Sequence, residues 1–362
     1  MQKSLSSRLF RPEVLALSAY KVADATGFIK LDAMENPYQW PEQITAQWLQ
    51  TLKNCALNRY PDPAASELNA LLKRVNQIPD EFSVLLGNGS DEIIQLLLMA
   101  LPPESHVLAP EPSFVMYKQI SVSLGLNYHS VPLQSNDFAL DMPAMLEAIK
   151  NLQPAIIFLA YPNNPTANLF AVADIKQILD SAPGLVVIDE AYAPFADASF
   201  MGELGNYANL LVMRTLSKLG LAGLRLGFIA GHPEIIAQLD KIRLPYNINV
   251  LTQASSVFAL SQPDLFEPQT QAICQQRSEL LVKLNQLDGI TAYSSAANFI
   301  LFRTPTGLAD SIFAGLKQQG VLIKNLSPQA GLLSDCLRVT VGKPEENQAF
   351  FNGLVQTLTT KQ

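Results

Sequence analysis

The sequence predicts an α/β protein, with a large domain built on a mostly parallel central sheet covered by helices and a smaller α+β domain built from both chain ends. Three observations carry this. Short, largely apolar β-rich runs alternate with helical patterns through the middle of the chain. The segments between those runs are long enough for crossover helices, which makes βαβ units. Past residue 250 the texture changes to long helical stretches with a few strands, as in an α+β unit.

Taken in order, the first forty residues contain Pro37 and Pro41 and little periodicity, and are expected to wrap onto the smaller domain. Strands of the large domain are expected at 82–87 (FSVLLG), 106–110 (HVLAP), 128–133 (YHSVPL), 155–162 (AIIFLAYP), 185–192 (LVVIDEAY), 209–213 (NLLVM) and 226–231 (LGFIAG). Most are apolar throughout, which suits strands covered on both faces. A helical stretch over 251–287 then leads to strands at 298–304 (NFILFRT), 321–326 (VLIKNL) and 336–342 (CLRVTVG). The large domain is therefore placed at 46–250 and the discontinuous small domain at 1–45 and 251–362.

Composition bounds the function. The 362 residues are 48% hydrophobic and 16% charged, with a formal net charge of -7 and no Lys/Arg-rich run. That balance supplies a packed core and argues against nucleic acid as the main partner, because phosphate contacts need clustered cations. Cys55, Cys274 and Cys336 lie far apart, which suggests a reducing compartment without structural zinc. His106, His129 and His232 have no metal-ligand spacing. Pro12 and Glu13 interrupt the N-terminus where a signal peptide needs an apolar core, and no apolar run reaches the length of a membrane span. A soluble, cytoplasmic protein is expected.

Four stretches carry candidate chemistry, each with a plainer alternative. In GNGSDEIIQLLLMAL (87–101), glycines end a strand and Ser90 or Asp91 can cap the next helix, whose first amides suit an anion; it equally fits a plain strand–turn–helix. YPNNPTANLF (161–170) bends the chain at a strand's carboxyl edge, where ligands bind, though its asparagines also build turns. VVIDEAYAPF (186–195) runs apolar residues into Asp189 and Glu190, acids that are seldom buried without a cation, unless one is simply a helix cap. Lys218, in RTLSKLGLAGLRLGFIAG (214–231), sits among small and apolar residues, where desolvation lowers an amine's pKa; a lone lysine is otherwise a surface residue.

Together the four place an anion-binding helix start, an asparagine, a carboxylate and a lysine with nearby hydroxyls and arginine at successive strand ends. Pyridoxal phosphate asks for that set. Its aldehyde needs a lysine, its phosphate needs amides and an arginine, and its ring nitrogen needs a carboxylate. A carboxylate in hydrogen-bonding reach shifts a pKa by roughly 1–3 units, enough to keep a weakly basic ring protonated.

With KLDAMENPY (30–38), NRYPDP (58–63), LPYNINVLTQ (244–253) and LRVTVG (337–342) added to these stretches, the chain resembles the fold-type-I pyridoxal-phosphate aminotransferases, and within them the histidinol-phosphate aminotransferases. The resemblance implies transfer of an amino group between L-histidinol phosphate and 2-oxoglutarate, giving imidazole-acetol phosphate and L-glutamate, a step of histidine biosynthesis. It implies that Lys218 holds pyridoxal 5'-phosphate covalently and moves a proton. Asp189 pairs with the ring nitrogen, Asn164 and Tyr192 hydrogen-bond the phenolic oxygen, and Phe114 stacks on the ring. Gly89, Ser90, Asp91, Thr215, Ser217 and Arg225 surround the phosphate, with Tyr60 reaching across from a second subunit of a homodimer. Tyr20, Asn36, Lys324 and Arg338 are implied on the substrate side. Departures from the family pattern are Ala167 in place of glycine, Phe114 in place of tyrosine, a Lys218–Arg225 spacing one residue short, and Lys324 in place of an arginine. A threonine-phosphate decarboxylase, an aromatic amino-acid aminotransferase and a cofactor-binding regulator without turnover stand as alternatives.

Overall fold

A computed structural model describes residues 5–19 and 22–359. Its thirteen described strands are β1 (Ile29–Lys30), β2 (Ser83–Gly87), β3 (His106–Glu111), β4 (Asn127–Pro132), β5 (Ile156–Ala160), β6 (Leu185–Asp189), β7 (Leu210–Thr215), β8 (Gly227–Gly231), β9 (Thr291–Ala292), β10 (Phe299–Arg303), β11 (Val321–Leu322), β12 (Lys324–Asn325) and β13 (Cys336–Thr340). All seven strands expected between 82 and 231 form, and they make one sheet in the order β2-β8-β7-β6-β5-β3-β4. Only β8 runs against its neighbours, pairing antiparallel with β2 and β7.

Alternation along these strands builds two separate cores. Leu108, Ile157, Leu159, Val186, Ile188 and Val212 pack to one face, under the helices Met142–Leu152 and Val172–Ser181. Val107, Ala109, Phe158, Val187, Leu211 and Met213 pack to the other, under the helices Ser90–Met99 and Val115–Leu124. Period-2 side-chain direction makes this division, and both sets are apolar because both faces are covered.

The same alternation sets the site. Asp189 follows Val187 and Met213 precedes Thr215 by two, so Asp189 and Thr215 face the second layer. Glu190 and Arg214 point the opposite way, where Arg214 Nη2 meets the fully enclosed Glu190 Oε2 at 2.7 Å. Ser199 Oγ and the amide of Phe200 also donate to Glu190, and Arg214 Nη1 donates to Asn76 Oδ1. The neighbouring acids of the Asp-Glu pair thus serve opposite faces of one sheet.

A four-stranded antiparallel sheet, β12-β13-β10-β9, lies in the C-terminal part of the chain, and β1 pairs in parallel with β11. The stretch 321–326, expected as one strand, is two. At Ile323 the chain passes from β11, against β1, to β12, against β13. The helical stretch expected over 251–287 is likewise divided into Val250–Leu260 and Pro263–Leu284; Pro263 opens the second helix because its missing N–H is not needed there. Among the described residues, no helix is long and apolar enough to cross a membrane.

Candidate active site

A cavity of about 400 Å³ opens at the carboxyl ends of the parallel strands, bounded by Ala160, Asp189 and Thr215, the last residues of β5, β6 and β7. Open α/β sheets bind ligands at this edge. Gly89, Ser90, Asp91, Phe114, Asn164, Tyr192, Ser217, Lys218 and Arg225 also line it. Residues spread over 137 positions of sequence (Gly89 to Arg225, inclusive) thereby reach one space.

Lys218 enters from a π-helical turn, Ser217–Leu221, which follows β7. The residue is half-buried, and Nζ donates to the carbonyl of Ala33 at 3.3 Å. Burial, then the charges of Arg338 and Arg225, pull its pKa from 10.5 down to about 8, against Glu35 and Asp91. The lowered pKa enlarges the neutral fraction of this amine, the form that acts as a nucleophile and a base. The short spacing to Arg225 is accommodated by the π turn and by Gly220 at φ 121, followed by a 3-10 turn Ala222–Leu224 that leaves Arg225 left-handed at φ 50.

Asp189 forms the floor. Its Oδ2 accepts from the Tyr117 hydroxyl at 2.6 Å and its Oδ1 from the amide of Ala191 at 3.1 Å. Burial raises its pKa from 3.8 to about 6, while the Tyr117 and Ala191 hydrogen bonds hold it down and Asp91 and Glu190 push it up. Tyr117 is wholly buried, stacked on Phe158 with centroids 4.6 Å apart and edge-on to Phe114 at 5.5 Å. Sequence reasoning missed Tyr117. The clue was its spacing: Tyr117 and Phe114 are three apart at a helix start, which places them side by side.

The anion cup is built on Gly89, at φ 83 and ψ 170, the N-cap of the helix Ser90–Met99. The first amides of that helix lack intrahelical partners and suit a phosphate. Arg225 closes the cup over Gly89, with Nη2 3.8 Å from Asp91 Oδ2. A Cβ on Gly89 would stand 2.7 Å from Arg225 Nη2, and one on Gly227 would stand 2.7 Å from the Ser90 nitrogen, so both glycines permit the close approach. Thr215 Oγ1 accepts from the Ser217 amide at 3.1 Å and lies 2.9 Å from Ser217 Oγ. Gly89→Ala puts a side chain in backbone that is essentially glycine-only, a cost of about 1–3 kcal/mol. A roughly tenfold or larger loss of phosphate-cofactor affinity is expected, read by fluorimetric titration.

The substrate side is less uniform. Arg338 is buried in β13; its Nη1 donates to Asn164 Oδ1 at 2.6 Å and its Nη2 to the carbonyl of Asp32 at 3.0 Å. Lys324 is its register partner across β12–β13, so the two side chains share one face of the sheet. Neither Lys324 nor Arg338 lines the cavity directly, although Arg338 reaches Asn164, which does, and Asn36 does not line it either. Its Nδ2 donates to the Leu219 carbonyl and to Gln269 Oε1, bracing the lysine turn from outside. Tyr60 stands away from the cavity, 81% exposed and stacked on Tyr246 at 4.4 Å. Tyr20 lies outside the described residues. Ala167 takes φ 63 and is fully buried, so the turn keeps the left-handed backbone of a glycine despite the methyl.

The fit of this site to pyridoxal phosphate rests on its donor set and on two local features. A Cβ on Gly227 would stand 2.7 Å from the backbone of Gly89 and Ser90 at the helix start, and the guanidinium of Arg225 lies over Gly89 beside it. A lysine with lowered pKa, a buried acid opposite it and an arginine-closed helix start are what an aldehyde, a ring nitrogen and a phosphate require.

Comparison with known proteins agrees with this geometry. The family model described as aminotransferase class I and II matches residues 26–354. The chain is similar to histidinol-phosphate aminotransferase 2 of Nitrosococcus oceani, at 54% identity over 98% of each chain. It is also similar to histidinol-phosphate aminotransferase 1 of Ralstonia nicotianae, at 49% identity over 98% of this chain and 96% of that one. In fold it resembles the histidinol-phosphate aminotransferase of Sinorhizobium meliloti solved with pyridoxal-5'-phosphate, with a TM-score of 0.86, 20% identity and 98% of each chain covered. The corresponding enzyme of Clostridium acetobutylicum gives 0.84 at 24% identity, over 91% of this chain and 99% of that one. On the match across residues 26–354 and these near-full-length relatives, the protein belongs to the aminotransferase class I and II family.

Proposed function

We propose that the protein is a histidinol-phosphate aminotransferase, exchanging the amino group between L-histidinol phosphate and 2-oxoglutarate to give imidazole-acetol phosphate and L-glutamate. The observation that carries this is the amine of Lys218, held at low pKa in the same cavity as Asp189 and as Asn164, whose Oδ1 accepts from Arg338. Near-full-length relatives at 45–54% identity that bear the histidinol-phosphate name support the choice of donor. Its cofactor is pyridoxal 5'-phosphate, which when bound supplies an aldehyde for the amino group and a protonated ring that takes up electrons as the Cα proton leaves.

The chain's own residues do the rest. Lys218 would hold the cofactor's carbonyl carbon through Nζ; once the donor's own amine displaces it there, the freed Nζ would take the proton from the donor's Cα and deliver it to that former carbonyl carbon, across the intervening nitrogen. Asp189, oriented by Tyr117 and Ala191, presents a carboxylate to a ring N–H. Arg338 holds Asn164 by its Oδ1, which leaves that amide's donor end for a phenolic oxygen, with Tyr192 lining the same cavity. Arg338 and Lys324 supply cationic charge for the donor's phosphate in one half-reaction and for a carboxylate in the other. Gly89, Ser90, Thr215, Ser217 and Arg225 hold the cofactor phosphate.

The working unit in this reading is a cytoplasmic homodimer. Leu57 and Tyr60 are 73 and 81% exposed around one surface groove that also carries Tyr246 and Leu251. An apolar patch of this kind marks a protein interface, and it would bring Tyr60 to the neighbouring subunit's phosphate cup. Purified protein is expected to be yellow and to lose its visible band on adding histidinol phosphate without a keto acid. A band unmoved by that donor, but lost with phenylalanine, would replace this reading with an aromatic aminotransferase. Release of carbon dioxide from threonine phosphate would replace it with a decarboxylase.

A further inference from the structure

One segment, residues 32–36, forms a strap that lines the cavity through Ala33, Met34 and Glu35 and is tied down along its length. The carbonyl of Asp32 accepts from Arg338 Nη2, and that of Ala33 from Lys218 Nζ. The amide of Met34 donates to Thr340 Oγ1, its carbonyl accepts from Asn298 Nδ2, and Asn36 is anchored to Leu219 and Gln269. Glu35 sits on this strap, lines the cavity, and is held by Lys30, whose Nζ donates to Glu35 Oε2 and lies 3.6 Å from Asp32 Oδ1. Its side chain is 49% exposed, so its carboxylate remains open to an incoming molecule.

The strap therefore sets out three chemistries in order: an anion-binding guanidinium at Asp32, the reactive amine at Ala33, and a carboxylate at Glu35. Three residues of chain reach at most about 10 Å, the scale of a small donor. Three acids line the cavity among the described residues, and two are committed elsewhere. Asp189 is buried on the floor against Tyr117, and Asp91 belongs to the phosphate cup beside Arg225. Glu35 is the acid left for the substrate, and its charge is felt at Lys218.

We propose that Glu35 is the specificity-determining residue for the donor's far end: it accepts a hydrogen bond from the imidazole of histidinol phosphate and repels the side-chain carboxylate of glutamate. This rests on the donor and acceptor proposed above. With the phosphate at Arg338 and the amino carbon at Lys218, the ring of histidinol phosphate falls beside Glu35. Glutamate bound by its α-carboxylate at Arg338 places its second carboxylate at the same end. One residue thus acts with opposite sign on the two half-reactions.

The test is Glu35→Gln in the cofactor-loaded enzyme, each half-reaction followed separately by the visible band and by spectroscopic titration of apparent affinity. For a partly exposed charge, kcat/KM for histidinol phosphate is expected to fall about fivefold, and that for glutamate to rise by a similar or smaller factor. Glu35→Asp, which keeps the charge, is expected to leave glutamate near its wild-type value. Changes of the same sign for both donors, or none for either, overturn the role of Glu35 while the donor reading stands. Wild-type protein that ignores histidinol phosphate overturns the donor reading, and this proposal with it.

Discussion

Lys218→Met is expected to abolish amino transfer and, at the same time, to stabilise the cofactor-free protein at neutral pH. The activity loss follows from the role proposed for the amine as the proton carrier at Cα, worth on the order of ten-thousandfold at the upper end for a positioned acid–base group. Loss of the covalent attachment adds to it. The stability gain follows from burial. Unfolded, the amine has its ordinary pKa of 10.5; folded, desolvation and the nearby charges of Arg338 and Arg225 hold it at about 8. Between those values the unfolded chain binds the extra proton, so stability rises with pH across that window. Below about pH 8 the full penalty of burying the charge applies, about 3 kcal/mol from the size of the gap. Methionine keeps most of the volume without the charge. The variant should therefore melt higher than wild type at pH 7, and the difference should shrink as pH climbs from about 8 toward 10.5. Melting temperatures of the two cofactor-free proteins against pH check this; a difference that does not depend on pH would remove the buried-amine argument.

Much of this was legible in the sequence because the information was local. All seven central strands were visible as apolar runs, since a strand covered on both faces has no polar side to disguise it. Lys218, Asp189, Asn164 and Arg225 could be expected together because pyridoxal phosphate asks for those groups, and all four line one cavity. What was not legible depends on partners distant in sequence. Tyr117 acquires its role only through an acid 72 residues later. Asn36 was placed against the substrate, but its amide is spent on Leu219 and Gln269, a residue over two hundred positions away. The break at Ile323 was hidden for the same reason, since the stretch 321–326 is uniformly β-prone while its two halves pair with strands from opposite ends of the chain. Glu190 could be read as a second active-site acid beside Asp189. Strand alternation sends it to Arg214 and Ser199 on the far face.

Asp189→Asn is expected to lower the rate of the half-reaction by two to three orders of magnitude while making the cofactor-free protein more stable at pH 7. The acid's pKa is near 3.8 unfolded and about 6 in the folded chain, chiefly because it is buried, with the donated hydrogen bonds of Tyr117 and Ala191 offsetting part of the rise. Well below pH 3.8, nothing is lost by folding, because the carboxyl is protonated in both states. As pH rises from about 4 to 6 the unfolded chain sheds its proton first, so stability falls, and above about 6 a constant penalty of about 3 kcal/mol remains. Asparagine escapes that penalty and can still accept from the Tyr117 hydroxyl through Oδ1. A protonated ring nitrogen answers the same charge from the other side: an opposite charge in reach is worth roughly 1–3 pKa units, up to about a thousandfold in the protonated fraction of the ring. The carboxylate is thus costly in the empty cavity and useful only once its partner arrives. Cofactor should accordingly raise the melting temperature of wild type more than that of the variant above pH 6. Calorimetry with and without cofactor, together with stopped-flow decay of the visible band, separates the two effects; a variant with wild-type rates would show that the acid on the floor does not govern the ring.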